Sequence, residues 1–293
     1  MLGFLNIDKP IGMTSHDVVA KIRRRARQLA GHEVKVGHAG TLDPLASGVL
    51  VVCLGAAARL SDQVMHTAKR YRAAVHFGLT TETDDAEGAV IAAHSLDEVD
   101  EGAIREALNR FVGEIDQIPP MYSAIKQGGR KLYDLARAGK NVERAPRRVR
   151  IDALALLDWQ PPTAVVDVVC GSGTYIRSLA RDLGEHLGCG AHLAALTRTA
   201  VGAFRLEDAV RLDDLLAAET WEKYLIPPRS ALPDWSFCRV DAAEAADLRH
   251  GRAVRFHQQH QGAEQLLIED ESGALVALVR AEDGWWKPEK VFG

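Results

Sequence analysis

Cysteine is scarce in this chain. The four present, Cys53, Cys170, Cys189 and Cys238, are widely spaced and form no Cys-x-x-Cys pair. Such spacing argues against a zinc site and a disulfide framework and fits reduced thiols, so no metal is expected. No apolar run approaches the roughly 20 residues needed to cross a bilayer as a helix, and no membrane association is expected. The first ten residues lack the basic start and apolar stretch of a signal peptide and read as a strand entering a turn. Together these absences make the cytoplasm the expected location. Also absent are Gly-x-x-x-x-Gly-Lys-Ser/Thr and Gly-x-Gly-x-x-Gly, the usual phosphate cradles, which disfavours a nucleotide-dependent transferase. There is no internal repeat and no low-complexity tract.

What is present is ordinary globular composition: 293 residues, 47% hydrophobic and 26% charged, enough for a large domain with a small companion. The net charge of −4 would speak against a nucleic-acid partner if charge were evenly spread. From Lys126 to Arg150, however, nine Lys/Arg face two Asp/Glu, a local charge of +7; from Lys21 to Lys35, six face one, giving +5. Between them, Glu82 to Asp116 is strongly acidic. Either basic run alone is most simply a solvated helix face. Two of them, with an acidic block between, can give a net-negative protein one positive face for RNA or DNA.

Strand and helix signals are mixed along the chain. Gly3–Asp8, Gly48–Leu54, Tyr71–Phe77 and Ala164–Cys170 read as strands, and Ser15 as the N-cap of a helix with Val18, Val19 and Ile22 on one side. Ile104–Phe111 has helical spacing. So does the stretch after Gly171-Ser172-Gly173-Thr174, where Ile176, Leu179, Ala180, Leu183 and Leu187 share a face, with Thr174 as cap and Gly188 as terminator. No regular βαβ repeat is visible, so the fold class is α+β with an antiparallel or mixed sheet. A change of composition near Ile226–Pro233 predicts a linker. Beyond it, Gln265–Ile268, Ala274–Val279 and Trp285–Phe292 are strand candidates of a small β-rich unit.

Three segments carry chemistry. Val36-Gly37-His38-Ala39-Gly40-Thr41-Leu42-Asp43-Pro44 places a histidine and a carboxylate in a glycine-bearing loop ahead of an apolar strand, although Asp before Pro is equally a helix cap and His38 alone a structural hydrogen-bonder. Lys69-Arg70-Tyr71-Arg72 sets an aromatic among cations, suited to stacking on a base or simply to the core. In Cys170–Arg177, the Gly-Ser-Gly turn can cradle a phosphate. Arg177 stands near a helix N-terminus where the dipole disfavours a cation, which implies a carboxylate partner or an anionic ligand.

In this order these segments resemble the TruB family of tRNA pseudouridine synthases. The similarity rests on Asp8-Lys9-Pro10-x-Gly12, Gly37-His38-x-Gly40-x-Leu42-Asp43-Pro44-x-Ala46-x-Gly48, Lys69-x-Tyr71 and Thr81-x-Thr83-x-Asp85-x-x-Gly88. It continues through Ile118–Lys126, Ala136-Arg137-x-Gly139, Gly173–Arg177 and Gly190-Ala191-His192-x-x-x-Leu196-x-Arg198. Thr197 departs from the pattern, where the family more often carries arginine. The resemblance implies a pseudouridine synthase fold, with a central mixed or antiparallel sheet flanked by helices. The catalytic domain would span 1–230, with a basic RNA-gripping segment at about 120–150, and a small PUA-like RNA-binding domain would span 234–293.

It also implies isomerisation of uridine 55 in the T-arm loop of tRNA, by a monomer without cofactor. Asp43 would be the catalytic nucleophile, Arg177 its partner and Tyr71 the residue stacked on the flipped base. Tyr175 and Leu196 would line the pocket, His38 would stand beside the extruded nucleotide, and Lys9 and Lys126 would contact substrate. Chemically, an aspartate buried beside an arginine stays ionised against the cost of desolvation, ideally through a two-pronged contact. It can attack C1′ or C6 or remove a proton to give a glycal, three routes that stay open.

Overall fold

The computed structural model describes residues 1–122, 142–255 and 263–292, together with the backbone of the short strands β8 (Lys126–Gln127) and β9 (Arg130–Lys131). Ahead of these in the chain lie β1 (Gly3–Lys9), α1 (Ser15–Ala30), β2 (Val36–His38), β3 (Ala46–Leu54) and α2 (Ser61–Met65). They are followed by β4 (Lys69–Phe77), β5 (Leu79–Thr81), β6 (Val90–Ala93), α3 (Glu101–Asn109) and β7 (Gly113–Gln117). After β9 come β10 (Arg147–Gln160), β11 (Thr163–Cys170), α4 (Ile176–His186), β12 (Ala191–Val201), β13 (Phe204–Arg205) and β14 (Val210–Arg211).

A ten-stranded mixed sheet runs in the order β14-β1-β3-β12-β4-β11-β10-β7, with β2 on β3 and β13 on β12. The β1–β14 and β3–β12 pairs are parallel and the other pairs antiparallel. The unbroken apolar run of β3 has its cause here, because both faces of this strand are buried. Leu50, Val52 and Leu54 pack with Val18, Val19 and Ile22 of α1 and with Leu179 and Leu183 of α4. Val49, Val51 and Cys53 pack on the other face with Phe4, Leu60 and Phe204. Each such aliphatic side chain contributes about 1.5–3 kcal/mol on leaving water. By contrast, β4 alternates: Tyr71, Ala73, Val75 and Phe77 are buried, while Arg70 and Arg72 face outward.

Two helix starts differ from expectation. Thr14, not Ser15, caps α1, in a reciprocal box with Asp17, and Ser15 turns inward. α4 begins at Ile176 with no side-chain cap, because the Thr174 hydroxyl bonds the Gly171 carbonyl instead, at 3.2 Å.

β15 (Phe237–Arg239), α5 (Ala242–Arg249), β16 (Gln265–Glu269), β17 (Leu275–Glu282) and β18 (Trp285–Val291) form a four-stranded unit ordered β15-β16-β17-β18. Leu267, Leu278 and Phe292 share the core that holds Val49 and Phe4. The segment expected as a linker is itself packed: Ile226 exchanges backbone hydrogen bonds with Phe4 at 2.8 Å, and Ala231 and Leu232 are buried. Arg147–Arg150, expected in the basic RNA-gripping segment, open β10 and pair with β7. The rest of that segment lies largely outside the described residues.

Candidate active site

The loop from Ala39 to Leu45 joins β2 to β3 at the mouth of the sheet. No helix follows Asp43-Pro44, so the aspartate caps nothing. Its carbonyl accepts from Ala46 N at 3.1 Å, which turns the chain directly into β3, and the Pro44 carbonyl accepts from Gly12 N at 2.8 Å. The Asp43 carboxylate is thereby free to meet Arg177, the second residue of α4, at 3.0 Å. More than 130 positions of sequence separate the two.

Arg177 does not grip Asp43 with both prongs, as an ideal pairing would. Nη2 serves Asp43 and the Tyr122 carbonyl, while Nη1 serves Asp85 at 3.1 Å. The side chain of Arg177 is 7% exposed and that of Asp85 only 2%, whereas that of Asp43 is 38% exposed. One guanidinium thus stands between a sealed carboxylate and a carboxylate that opens to solvent. Asp85 is fixed in turn by the Thr83 hydroxyl and by Glu87 N at 3.1 Å. Taking an arginine out of water is costly unless it is paired and hydrogen-bonded on every side, and Asp85 with two carbonyls provides that.

These groups close one end of a cleft of about 560 Å³ lined by Thr41, Leu42, Asp43, Tyr71, Tyr175, Leu196 and Arg198, with the Gly171–Thr174 turn along one wall. That volume suits a small ligand or a single nucleoside. Tyr71 projects from the inner face of β4, opposite Arg198 in the β12–β4 pair, and burial raises its phenol pKa. Leu196 lies opposite Ala46 across the parallel β12–β3 pair. Gln117 holds Tyr175 in place from β7: its Nε2 donates to the Tyr175 carbonyl at 3.0 Å, and its Oε1 accepts from Tyr175 N at 2.8 Å. Lys69 lines the cleft with its ammonium on the carbonyls of Met65 and Thr67, and burial pushes its pKa down to about 8.

Two residues carried over as substrate contacts do not line this cleft. Lys9 is fully buried, with Nζ donating to the carbonyls of Pro10 and Met13 at 2.9 and 2.6 Å, so it organises the turn that meets the Asp43 loop through Gly12 and Pro44. His38 ends β2, half-buried and outside the cleft lining; burial first, then the Arg198 charge, lowers its pKa, which favours a neutral ring. The Lys126 side chain lies outside the described residues. Thr197, the departure from the family pattern, bonds Ser47 through its hydroxyl at 3.0 Å. Among the described residues no group of three His, Cys, Asp or Glu side chains is gathered as metal ligands.

Asp85 and Arg198 stand in the quoted motifs but drew no role from the sequence. Nothing in the local pattern separates Asp85 from its acidic neighbours Glu82, Asp84 and Glu87. The one available clue was the cation at the start of α4, which called for an anion without saying which.

Residues 27–176 match the TruB family pseudouridylate synthase N-terminal domain. Residues 177–232 match the tRNA pseudouridylate synthase B C-terminal domain, and residues 235–293 the C-terminal domain of tRNA pseudouridine synthase II. A tRNA pseudouridine synthase B of Thiobacillus denitrificans is 45% identical over 99% of this chain and 95% of its own length. One from Symbiobacterium thermophilum is 48% identical over 86% of this chain and 82% of its own length. Among solved structures, a chain of a Cbf5-Nop10-Gar1 complex superposes with a TM-score of 0.75 at 29% identity, covering 100% of this chain and 85% of that one. Matched from residue 27 to its last residue by the domains of one family, and resembling that family's synthases along nearly its whole length, the chain belongs to the TruB family of pseudouridylate synthases.

Proposed function

We propose that this protein isomerises uridine 55 in the T-arm loop of tRNA to pseudouridine, with Asp43 as the catalytic carboxylate. The observation that carries this reading is the Asp43–Arg177–Asp85 arrangement at the end of a nucleoside-sized cleft. A protein that only bound RNA would have no use for an accessible carboxylate facing a polyanion. The names of the relatives, tRNA pseudouridine synthase B, support tRNA as the substrate.

The reaction breaks N1–C1′, turns the uracil and joins C5 to C1′; the proton leaving C5 is matched by one taken up at N1. No electron is gained or lost and no group is imported, so the chemistry needs no cofactor. The target base must leave its stack at a cost of a few kcal/mol. Stacking on Tyr71 returns about 1–3 kcal/mol of that, while Leu196 and Tyr175 enclose the ring. His38, neutral and beside the loop, fits the place vacated by the flipped nucleotide. A carboxylate oxygen of Asp43 then acts, as nucleophile at C1′ or C6 or as base toward a glycal, with Arg177 aiming it.

Arg147 and Arg148 on exposed β10, with Lys126 and its basic neighbours, supply phosphate contacts that carry affinity rather than sequence information. The four-stranded unit within 234–293 is an RNA-binding domain of the PUA type on this reading, and the enzyme works as a cytoplasmic monomer. Among the described residues no helix is long and apolar enough to cross a membrane.

The test is incubation with an unmodified tRNA transcript, without cofactor, followed by mapping of pseudouridine. A single modified position, at 55, is expected. A transcript that is bound but unmodified would leave an RNA-binding protein on a synthase scaffold.

A further inference from the structure

The peptide groups that lead into Asp43 are held by two side chains to which no reacting role has been given. Ser15, 2% exposed at the start of α1, accepts from Leu42 N at 2.8 Å and donates to the Leu42 carbonyl at 3.0 Å. One hydroxyl thus satisfies both polar groups of the residue before the aspartate. Arg198, 1% exposed on β12, donates to the carbonyls of Gly40 at 3.1 Å, Thr41 at 3.3 Å and Val49 at 2.7 Å, and stands opposite Tyr71 in the β12–β4 pair. Among the described residues no carboxylate pairs with Arg198, so this guanidinium does not serve to neutralise an acid. Its planar fork spans the loop of Asp43 and the edge of β3, which a lysine's single ammonium cannot do.

Gly48 makes the approach possible. At φ +97 it lets β3 come so near β12 that an added Cβ would stand 2.3 Å from the Arg198 carbonyl.

The Asp43 carboxylate is itself partly exposed and, among the described residues, has one direct ion-pair partner, Arg177. The backbone after the aspartate is held by Ala46 N and Gly12 N, so the aim of the oxygen depends further on what holds residues 40–42 before it. We propose that Ser15 and Arg198 are positioning residues that fix this stretch, setting the distance between the Asp43 carboxylate and the Tyr71 ring on which the base lies. The proposal rests on the function given above. It also gives a purpose to motif positions with no place in the chemistry, Gly48 and the turn from Asp8 to Ser15, in which Lys9 braces the carbonyls of Pro10 and Met13 and Gly12 N holds Pro44.

Ser15→Ala and Arg198→Lys decide it. The first removes one oxygen while Thr14 still caps α1, so folding is retained; the second keeps the charge and loses the fork. Single-turnover conversion of tRNA transcript is expected to fall about tenfold in Ser15→Ala and about a hundredfold in Arg198→Lys, with Kd for tRNA within about twofold of wild type. Hydrogen exchange at the Leu42 amide should quicken in Ser15→Ala. Conversion within about twofold of wild type in Ser15→Ala, or a Kd that weakens in step with the rate, would overturn the proposal. If Arg198→Lys does not fold, Ser15→Ala decides alone. Wild type that leaves tRNA unmodified would instead refute the function, and Leu42 exchange would then judge the clamp: faster in Ser15→Ala supports it, unchanged refutes it.

Discussion

Arg177 carries one positive charge between two carboxylates, and the division of labour follows from their burial. Asp85 is sealed and fixes the guanidinium, while Asp43 is open and receives its effect. A lysine at this position would offer one ammonium where the arginine uses two nitrogens on four acceptors. Arg177→Lys is therefore expected to lower single-turnover rate by about a hundredfold, about 2.7 kcal/mol in barrier, with tRNA affinity little changed. A rate within a few-fold of wild type would show that charge alone suffices.

Lys69 and Lys9 are a second residue-scale feature, since burial holds each at about 8 against an ordinary 10.5. Above pH 8 the unfolded chain binds more protons at these lysines than the folded one, so stability rises with pH there. Buried Cys53, pushed up to about 12 from an ordinary 9.0, works in the opposite sense only once unfolded thiols ionise, from about pH 9 upward. The thermal midpoint should thus climb between about pH 8 and 9, and Lys69→Met should remove about half of that climb. An identical climb in the variant would place the Lys69 ammonium in water.

Among the elements, β3 does most to place the site, because its two buried faces join both cores while its first residues hand the chain over from Asp43. Gly48 is the tight point. Gly48→Ala should cost at least about 2 kcal/mol in urea unfolding, since it adds both positive-φ strain and a clash with the β12 backbone. No loss would mean that the two strands sit farther apart. The elements that sequence identified owe it to simple periodicity: β3 to its unbroken apolar run, β11 to alternating valines, and α4 to apolar residues three to four apart. What it missed depended on partners remote in the chain. Ser15 reads as a cap in sequence because the adjacent Thr14 is chemically equivalent, and the contact that decides between them lies 27 residues away at Leu42. β15 has only three residues, and α5 has no clear apolar face, so neither announced itself by pattern. The pairing of Asp43 with Arg177 follows from resemblance and one dipole argument, whereas the place of Asp85 beside them shows only where three distant segments meet.

At the scale of the molecule, a net charge of −4 coexists with a task that requires gripping a polyanion. Part of the basic content proves structural: on α1, Arg23 and Arg25 donate to the carbonyls of Val36 and Ala218, and Arg27 pairs with Glu33. Arg147 and Arg148 remain exposed on β10, with Glu114 and Asp116 no nearer than 3.8 Å to Arg148. Reversing both to Glu should weaken tRNA binding and reduce the slope of log affinity against log salt by about 1–2. An unchanged slope would put them off the interface. The chemistry itself is tested most directly by Asp43→Asn, which removes one charge and almost no volume. On unmodified tRNA transcript in single turnover, no pseudouridine at position 55 is expected while tRNA still binds. Conversion within about tenfold of wild type, less than about 1.4 kcal/mol of barrier, would contradict a catalytic carboxylate at residue 43.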